Sequence, residues 1–206
     1  DRRGEGPVTR PIVRRTHAGS RAARPLKIVV TGPFAAGKTS LIQTISEVAV
    51  IGTERTITDE TRERKETTTV AMDFGRVSLG DGLSLLLFGT PGQRRFEVMW
   101  EVLSEGMIGF VLLVNGSDER SAAEAARQLE TFRAYADVPF VVGVTHLDEP
   151  GVDPAETLAR VRERLDVGPE AEVVPCDPRS RDDVKDVMLR ILFGVLRRLE
   201  PVKAAG

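Results

Sequence analysis

A glycine-framed turn, Gly32-Pro33-Phe34-Ala35-Ala36-Gly37-Lys38-Thr39-Ser40, has the residue types and spacing to hold a chain of phosphates. Gly32 and Gly37 let the backbone curl, so that successive amides from Ala35 and Ala36 to Ser40 point at one phosphate oxygen cluster. A helix starting near Lys38 adds its positive end to that cradle. Lys38 is spaced to reach the β and γ phosphates, and Thr39 to offer its hydroxyl to magnesium. Such a pattern arises by chance in on the order of one chain in a hundred of average composition. Here the apolar run 26–31 precedes it and a helical pattern follows, the context that gives it meaning.

Other polar loops follow apolar runs in the same way. In FGTPGQRRF, residues 88–96, the Gly92 amide suits a γ-phosphate contact and Gln93 suits the orientation of an attacking water. In RKETTTVAMDFG, residues 64–75, a threonine ahead of a strand can coordinate magnesium and lock the loop only when triphosphate is present. Strand propensity alone also explains three threonines in a row. In VGVTHLDEP, residues 142–150, the Asp148 carboxylate can accept from two guanine N–H groups, a pair that adenine does not supply. The loop PCDPRS, residues 175–180, can present the Cys176 and Asp177 amides to the guanine carbonyl.

The elements that must carry these loops alternate between short apolar runs and helical periodicity, the pattern of β-α units. Strands are expected at 26–31, 69–79, 82–88, 107–114, 139–145 and 171–175. Leu41, Ile42, Ile45 and Val48 repeat at helical spacing, and further helices are expected at about 120–136 and 181–199. The stripe Val184, Val187, Met188, Ile191, Leu192, Val195 and Leu196 on the last of these is expected to be core. The Gly-Asp-Gly turn between 69–79 and 82–88 makes that pair an antiparallel hairpin, so the sheet is mixed. The fold class expected is α/β: a doubly wound, mostly parallel six-stranded sheet with helices on both faces, its ligands beyond the carboxyl ends of the strands.

With 206 residues and 41% hydrophobic content, the sequence fits one domain with a real core. A net charge of −2 gives no global argument for nucleic acid, and the single Cys176 suits a reducing compartment. No apolar run approaches the roughly 18 residues of a membrane span. Residues 1–25, rich in Arg, Gly and Pro, read as a disordered basic arm, a solvated leader or a patch for anionic lipid or an acidic partner. Residues 26–200 then form the domain, and 201–206 a short tail.

In order and spacing the motifs resemble the Ras-like small GTPases, P-loop NTPases, over roughly residues 26–199. TTTVAMDFG with LFGTPGQ and THLD looks like the bacterial branch that includes the gliding-motility and actinobacterial conservon GTPases. The resemblance implies a GTP/GDP-binding switch with Mg²⁺. Its partners would be a Roadblock-type regulator and a sensor-kinase-like membrane complex, and its setting the cytoplasm with recruitment to the membrane by partners. By the family's T-x-x-x-D-F spacing, Thr69 is the switch threonine and, with Thr39, a magnesium ligand. Lys38 and Gln93 are the catalytic positions, and Thr145 and Asp148 match the guanine motif, with His146 where a lysine usually packs on the base.

Departures from the family pattern bear on rate. Gly89 replaces the first Asp of D-x-x-G, and Asp73 on the neighbouring strand is a partial substitute. Phe34 stands where Ras has Gly and would crowd Gln93 and an incoming arginine finger. The segment between Lys38 and Thr69 is about a dozen residues longer than in Ras and highly charged. Arg62 and Arg64 within it are candidates for a finger in cis, against the simpler reading of a solvated loop. Slow hydrolysis is therefore expected. The alternative is a nucleotide-binding interaction subunit with little or no hydrolysis, while an ATP-using kinase is disfavoured by Asp148. Trp100 on the helix after Gln93 suits either a partner surface or the core.

Overall fold

Strand β1, Leu26–Thr31, sorts its side chains by the period of two that pleating imposes: Ile28 and Val30 enter one apolar cluster and Val29 the other. A strand buried on both faces needs helices on both, and the computed structural model has them. It describes residues 25–49, 53–57, 68–80, 82–92 and 96–200, with side chains described for 25–49, 72–80, 82–92 and 96–200. After β1 come α1 (Lys38–Ile45), β2 (Thr53–Ile57), β3 (Thr68–Gly80), β4 (Leu83–Gly89), α2 (Glu97–Ser104) and β5 (Met107–Asn115). Then follow α3 (Glu119–Tyr135), β6 (Phe140–Thr145), α4 (Pro154–Arg164), β7 (Glu172–Pro175) and α5 (Arg181–Leu199). The sheet order is β2-β3-β4-β1-β5-β6-β7. From β4 to β7 the pairing is parallel, and β2, β3 and β4 pair antiparallel.

The doubly wound mixed sheet is the one expected, with a seventh strand added. Residues 53–57, read from sequence as part of a long charged loop, pair with β3 in the register Thr53↔Met72 to Ile57↔Thr68. Two β-branched threonines and an isoleucine suit that edge, and alternating charge hid it. The β3–β4 hairpin turns on Gly80 and Gly82, both at positive φ (87° and 78°), as the Gly-Asp-Gly motif implied. Helices α1 and α5 cover one face through Leu41, Ile42, Ile45, Val184, Val187, Met188 and Ile191. Helices α2, α3 and α4 cover the other through Trp100, Ala122, Ala125, Leu129, Phe132 and Val161.

Two packing expectations are corrected and one open alternative is decided. Helix α1 stops at Ile45, so Val48 lies beyond it and is exposed. The stripe on α5 is core only as far as Ile191, with Leu192 partly buried, because the helix outruns the sheet; Leu196 is 54% exposed. Trp100 belongs to the core: it is buried, its Nε1–H donates to the Pro91 carbonyl at 3.2 Å, and its ring lies 5.9 Å from that of Phe132. Among the described residues no helix is long and apolar enough to cross a membrane. The basic arm, apart from Pro25, and the tail at 201–206 lie outside the described residues.

Candidate functional site

The carboxyl ends of β1, β4, β6 and β7 run into one cleft of about 660 Å³. It is lined by Ala35, Gly37, Lys38, Thr39 and Ser40 from the turn after β1, and by Asp73 and Gly92 beside them. His146, Asp148, Asp177 and Arg179 line its other end. Parallel pairing explains the gathering, since strands that run the same way deliver their following loops to the same edge.

The turn after β1 is shaped by close approaches that only glycine permits. Gly32 has φ 147°, and a Cβ on it would strike the Leu113 carbonyl oxygen of β5. Gly37 caps α1 at φ 93°, and a Cβ there would stand 2.8 Å from Pro178 Cγ. Ala35 also takes positive φ, 59°. Helices α3, α4 and α5 are capped by Asp118, Asp153 and Ser180 side chains, whereas α1 has neither a side-chain cap nor an acidic residue in its first turn. Its first amides are therefore left for a ligand at the cleft, which suits an anion.

Lys38 is buried, and its Nζ donates to the carbonyls of Gly32 at 2.8 Å and Pro33 at 2.6 Å. An ammonium has three N–H donors, so one is left for an anion. Burial pulls its pKa down to about 8, partly opposed by the Asp73 carboxylate. A bound polyphosphate would favour the charged form again. Nucleotide binding at about pH 8.5 is therefore expected to take up part of a proton through Lys38, and at about pH 6.5 none, so affinity falls as pH rises through about 8. Titration calorimetry in two buffers of different ionisation heat measures the uptake, and Lys38→Arg, always protonated, should abolish it.

Thr39 Oγ1 donates to Asp73 Oδ2 at 2.6 Å. Asp73 on β3 is in register with Gly89 at the end of β4, and a Cβ on Gly89 would lie 3.0 Å from Asp73 Cβ and 3.2 Å from its Oδ2. The Asp73 carboxylate thus occupies the space that a side chain at 89 would enter. A hydroxyl beside a carboxylate is an oxygen donor set that fits magnesium once phosphate oxygens join it. Among the described residues no group of three or more His, Cys, Asp or Glu side chains gathers to hold a metal, so at Thr39 and Asp73 the ligand set depends on phosphate oxygens and water.

The loop after β4 is fastened under the cleft. The Thr90 amide donates to the Val30 carbonyl at 2.9 Å, and its hydroxyl donates to Thr31 Oγ1 at 3.0 Å, which in turn donates to Gln128 Oε1 at 3.3 Å. Gly92 follows, so close to the first turn that a Cβ on it would stand 2.8 Å from the Phe34 nitrogen and 2.9 Å from Lys38 Nζ. The Phe34 ring itself is 73% exposed at the mouth of the cleft.

At the far end Asp148 is held by Arg179, whose Nη2 donates to Asp148 Oδ2 at 2.7 Å. That hydrogen bond holds the Asp148 carboxyl below the usual carboxylate range, so it stays ionised near neutrality. Behind it, buried Thr145 bonds the carbonyls of Ala36 and Val114, both at 3.2 Å, and its hydroxyl lies 2.8 Å from Nδ1 of His146, which takes a left-handed φ of 58°. Thr145 thus ties the loop after β6 to the turn after β1.

The structure brings most of the sequence candidates together and sets others apart. Gly32, Ala36, Thr145 and Cys176 are buried rather than lining the cleft. Thr69 is in β3, its backbone in register with Thr56. Gln93, Arg62 and Arg64 lie outside the described residues. The expected role of the Cys176 and Asp177 amides is corrected: the first donates to the Val144 carbonyl at 2.9 Å in continuation of the β6–β7 pairing, and the second to Asp183 Oδ2 at 2.9 Å. The Cys176 thiol is buried, which pushes its pKa up to about 12 and makes it unreactive. Arg179 was missed by sequence reasoning; the only signal was a basic residue two positions after Asp177 in a loop at the right edge of the sheet.

Comparison with known proteins agrees with this geometry. Residues 30–167 match the model of a family described as conserved hypothetical ATP binding protein. The chain is similar to translation initiation factor IF-2 of Persephonella marina, 24% identical over 175 residues, which are 82% of this chain and 18% of that factor. IF-2 of Caulobacter vibrioides is 23% identical over 174 residues, 82% of this chain and 16% of the factor. The chain therefore spans less than a fifth of the length of these two relatives. The uncharacterized protein MJ1339 of Methanocaldococcus jannaschii is 29% identical over 131 residues, 64% of this chain and 76% of that protein.

Proposed function

The chain belongs to the family of conserved hypothetical ATP-binding proteins, and on that premise we propose that it is a guanine-nucleotide switch, binding GTP and GDP with magnesium and hydrolysing GTP slowly. The observation that carries the base preference is Asp148, an ionised acceptor at the opposite end of the cleft from Lys38. Guanine presents two N–H donors to such a group, whereas adenine presents an unprotonated ring nitrogen that the carboxylate repels. The family description names ATP; the acceptor at 148 favours guanine, and the chemistry of the side chain is the more direct guide. Thr39 with Asp73 supports magnesium binding, and the Gly92 contact with the turn after β1 supports a loop that responds to a γ-phosphate.

In this reading Lys38 stabilises charge on the phosphates, Gln93 orients water, and Thr69 completes the magnesium shell with triphosphate. Residues 26–200 form the switch domain. Its partners, by resemblance to the bacterial branch, are a Roadblock-type regulator and a sensor-kinase-like membrane complex that recruits it from the cytoplasm. Exposed Phe34 beside Gly92 supports the slow rate and favours, as the second reading, an interaction subunit that does not hydrolyse at all. Competition of ATP against GTP tests the base. Single-turnover hydrolysis of γ-labelled GTP is expected to slow at least tenfold in Gln93→Leu, since assisting groups of this kind are worth about 10³ to 10⁵ when fully engaged. Equal rates in the two proteins would remove Gln93 from catalysis and leave the second reading.

A further inference from the structure

Beside its two N–H donors guanine carries a carbonyl, O6, so a complete reader of that edge needs an acceptor and, next to it, a donor. Asp148 is the acceptor. The neighbouring loop after β7 has no backbone donor to spare: besides the committed amides of Cys176 and Asp177, Pro178 has none, Arg179 N–H donates to Asp177 Oδ1 at 2.9 Å, and Ser180 N–H donates to the Asp177 carbonyl at 3.0 Å. What the loop does offer is the Arg179 guanidinium, which lines the same cleft. Two carboxylates aim it: Nε donates to Asp177 Oδ1 at 2.8 Å, and Nη2 donates to Asp177 Oδ2 at 3.0 Å as well as to Asp148 Oδ2 at 2.7 Å. These bonds use three of the five N–H groups and leave both on Nη1 without an acceptor among the described residues.

We propose that Arg179 is a base-reading residue, its Nη1 donating to O6 of guanine while Asp148 accepts from N1–H and N2–H. The inference rests on the guanine reading above and lies in a loop beyond the span that the family model matches. Adenine presents its amino group where O6 would be, so the same guanidinium meets a donor and opposes it. Arg179 and Asp148 thus form one ordered donor–acceptor pair, joined to each other and complementary to one purine edge.

The test titrates GDP and 6-thio-GDP, in which sulfur, a far weaker acceptor, replaces O6, against the full chain and its Arg179→Ala variant. The expected result is a roughly tenfold weaker binding of 6-thio-GDP to the unaltered chain. Arg179→Ala should lose about the same factor for GDP and show no further loss with the thio ligand. Both ligands are titrated against one preparation, so misfolded protein lowers the stoichiometry and leaves the ratio of dissociation constants intact. Unchanged GDP affinity in Arg179→Ala, or an equal loss for both ligands, overturns the assignment while the guanine reading stands. An unaltered chain that binds ADP as well as GDP overturns both.

Discussion

Asp148→Asn is expected to lower GDP affinity on the order of 10³-fold and to confer binding of the xanthine nucleotide, because on the proposed guanine reading a site built around two base N–H donors is left with a mismatched partner. The carboxylate has acceptors only, whereas the amide has one acceptor and one donor. Guanine then loses a hydrogen bond and sets its own N2–H against an amide N–H, while xanthine, with a carbonyl at that position, matches. The Asp148 side chain is 65% exposed, so the substitution is expected to leave the fold intact, and the effect appears in competition among GDP, XDP and ADP. Because Arg179 keeps the carboxyl ionised well below neutrality, guanine preference is expected to be the same at about pH 5.5 and about pH 7.5. A variant that still prefers GDP over XDP would move base recognition away from Asp148.

The second large effect is expected at magnesium. Asp73→Ala removes the carboxylate that accepts from Thr39 Oγ1, and the gain in nucleotide affinity on adding Mg²⁺ should fall by about 10- to 100-fold, the usual scale for a residue that orients a metal ligand. Gly89→Asp alone should not improve matters: its Cβ would meet Ile42 Cδ1 at 2.9 Å and bring a second carboxylate against Asp73. In Asp73→Ala the competing carboxylate is gone and only the contacts with Ile42 Cδ1 and the residue-73 Cβ remain, which a small shift of the flexible Ile42 side chain eases, so Asp73→Ala with Gly89→Asp should recover part of the lost magnesium response. The readout is nucleotide affinity with and without Mg²⁺ for the four proteins. Recovery equal in the presence and absence of Asp73 would show that the two positions do not share one space.

Positions whose role follows from local chemistry were legible before any fold was known. The Gly32–Thr39 turn needs only backbone freedom, a lysine and a hydroxyl at short spacing, and it occurs where the motif implied. The β3–β4 hairpin was set by two glycines at positive φ. The sandwich of helices around the sheet followed from period-two and helical apolar patterns. Less legible were elements governed by where a neighbour ends: β2, which β3 pairs along an edge, and the outer turns of α5, which run past the sheet that covers their inner half.

The sequence by itself determined that this chain has a phosphate-binding turn between a strand and a helix, an α/β architecture, and an aspartate in the loop after β6. These depend on residues close together in the chain. Only the tertiary structure decided that Asp73 fills the space beside Gly89, that the Cys176 and Asp177 amides have other partners, and that Arg179 holds Asp148. Each of those contacts joins residues brought together by strand register or by loops meeting at one edge of the sheet, and a pattern along the chain carries no record of which donors and acceptors the fold has already paired.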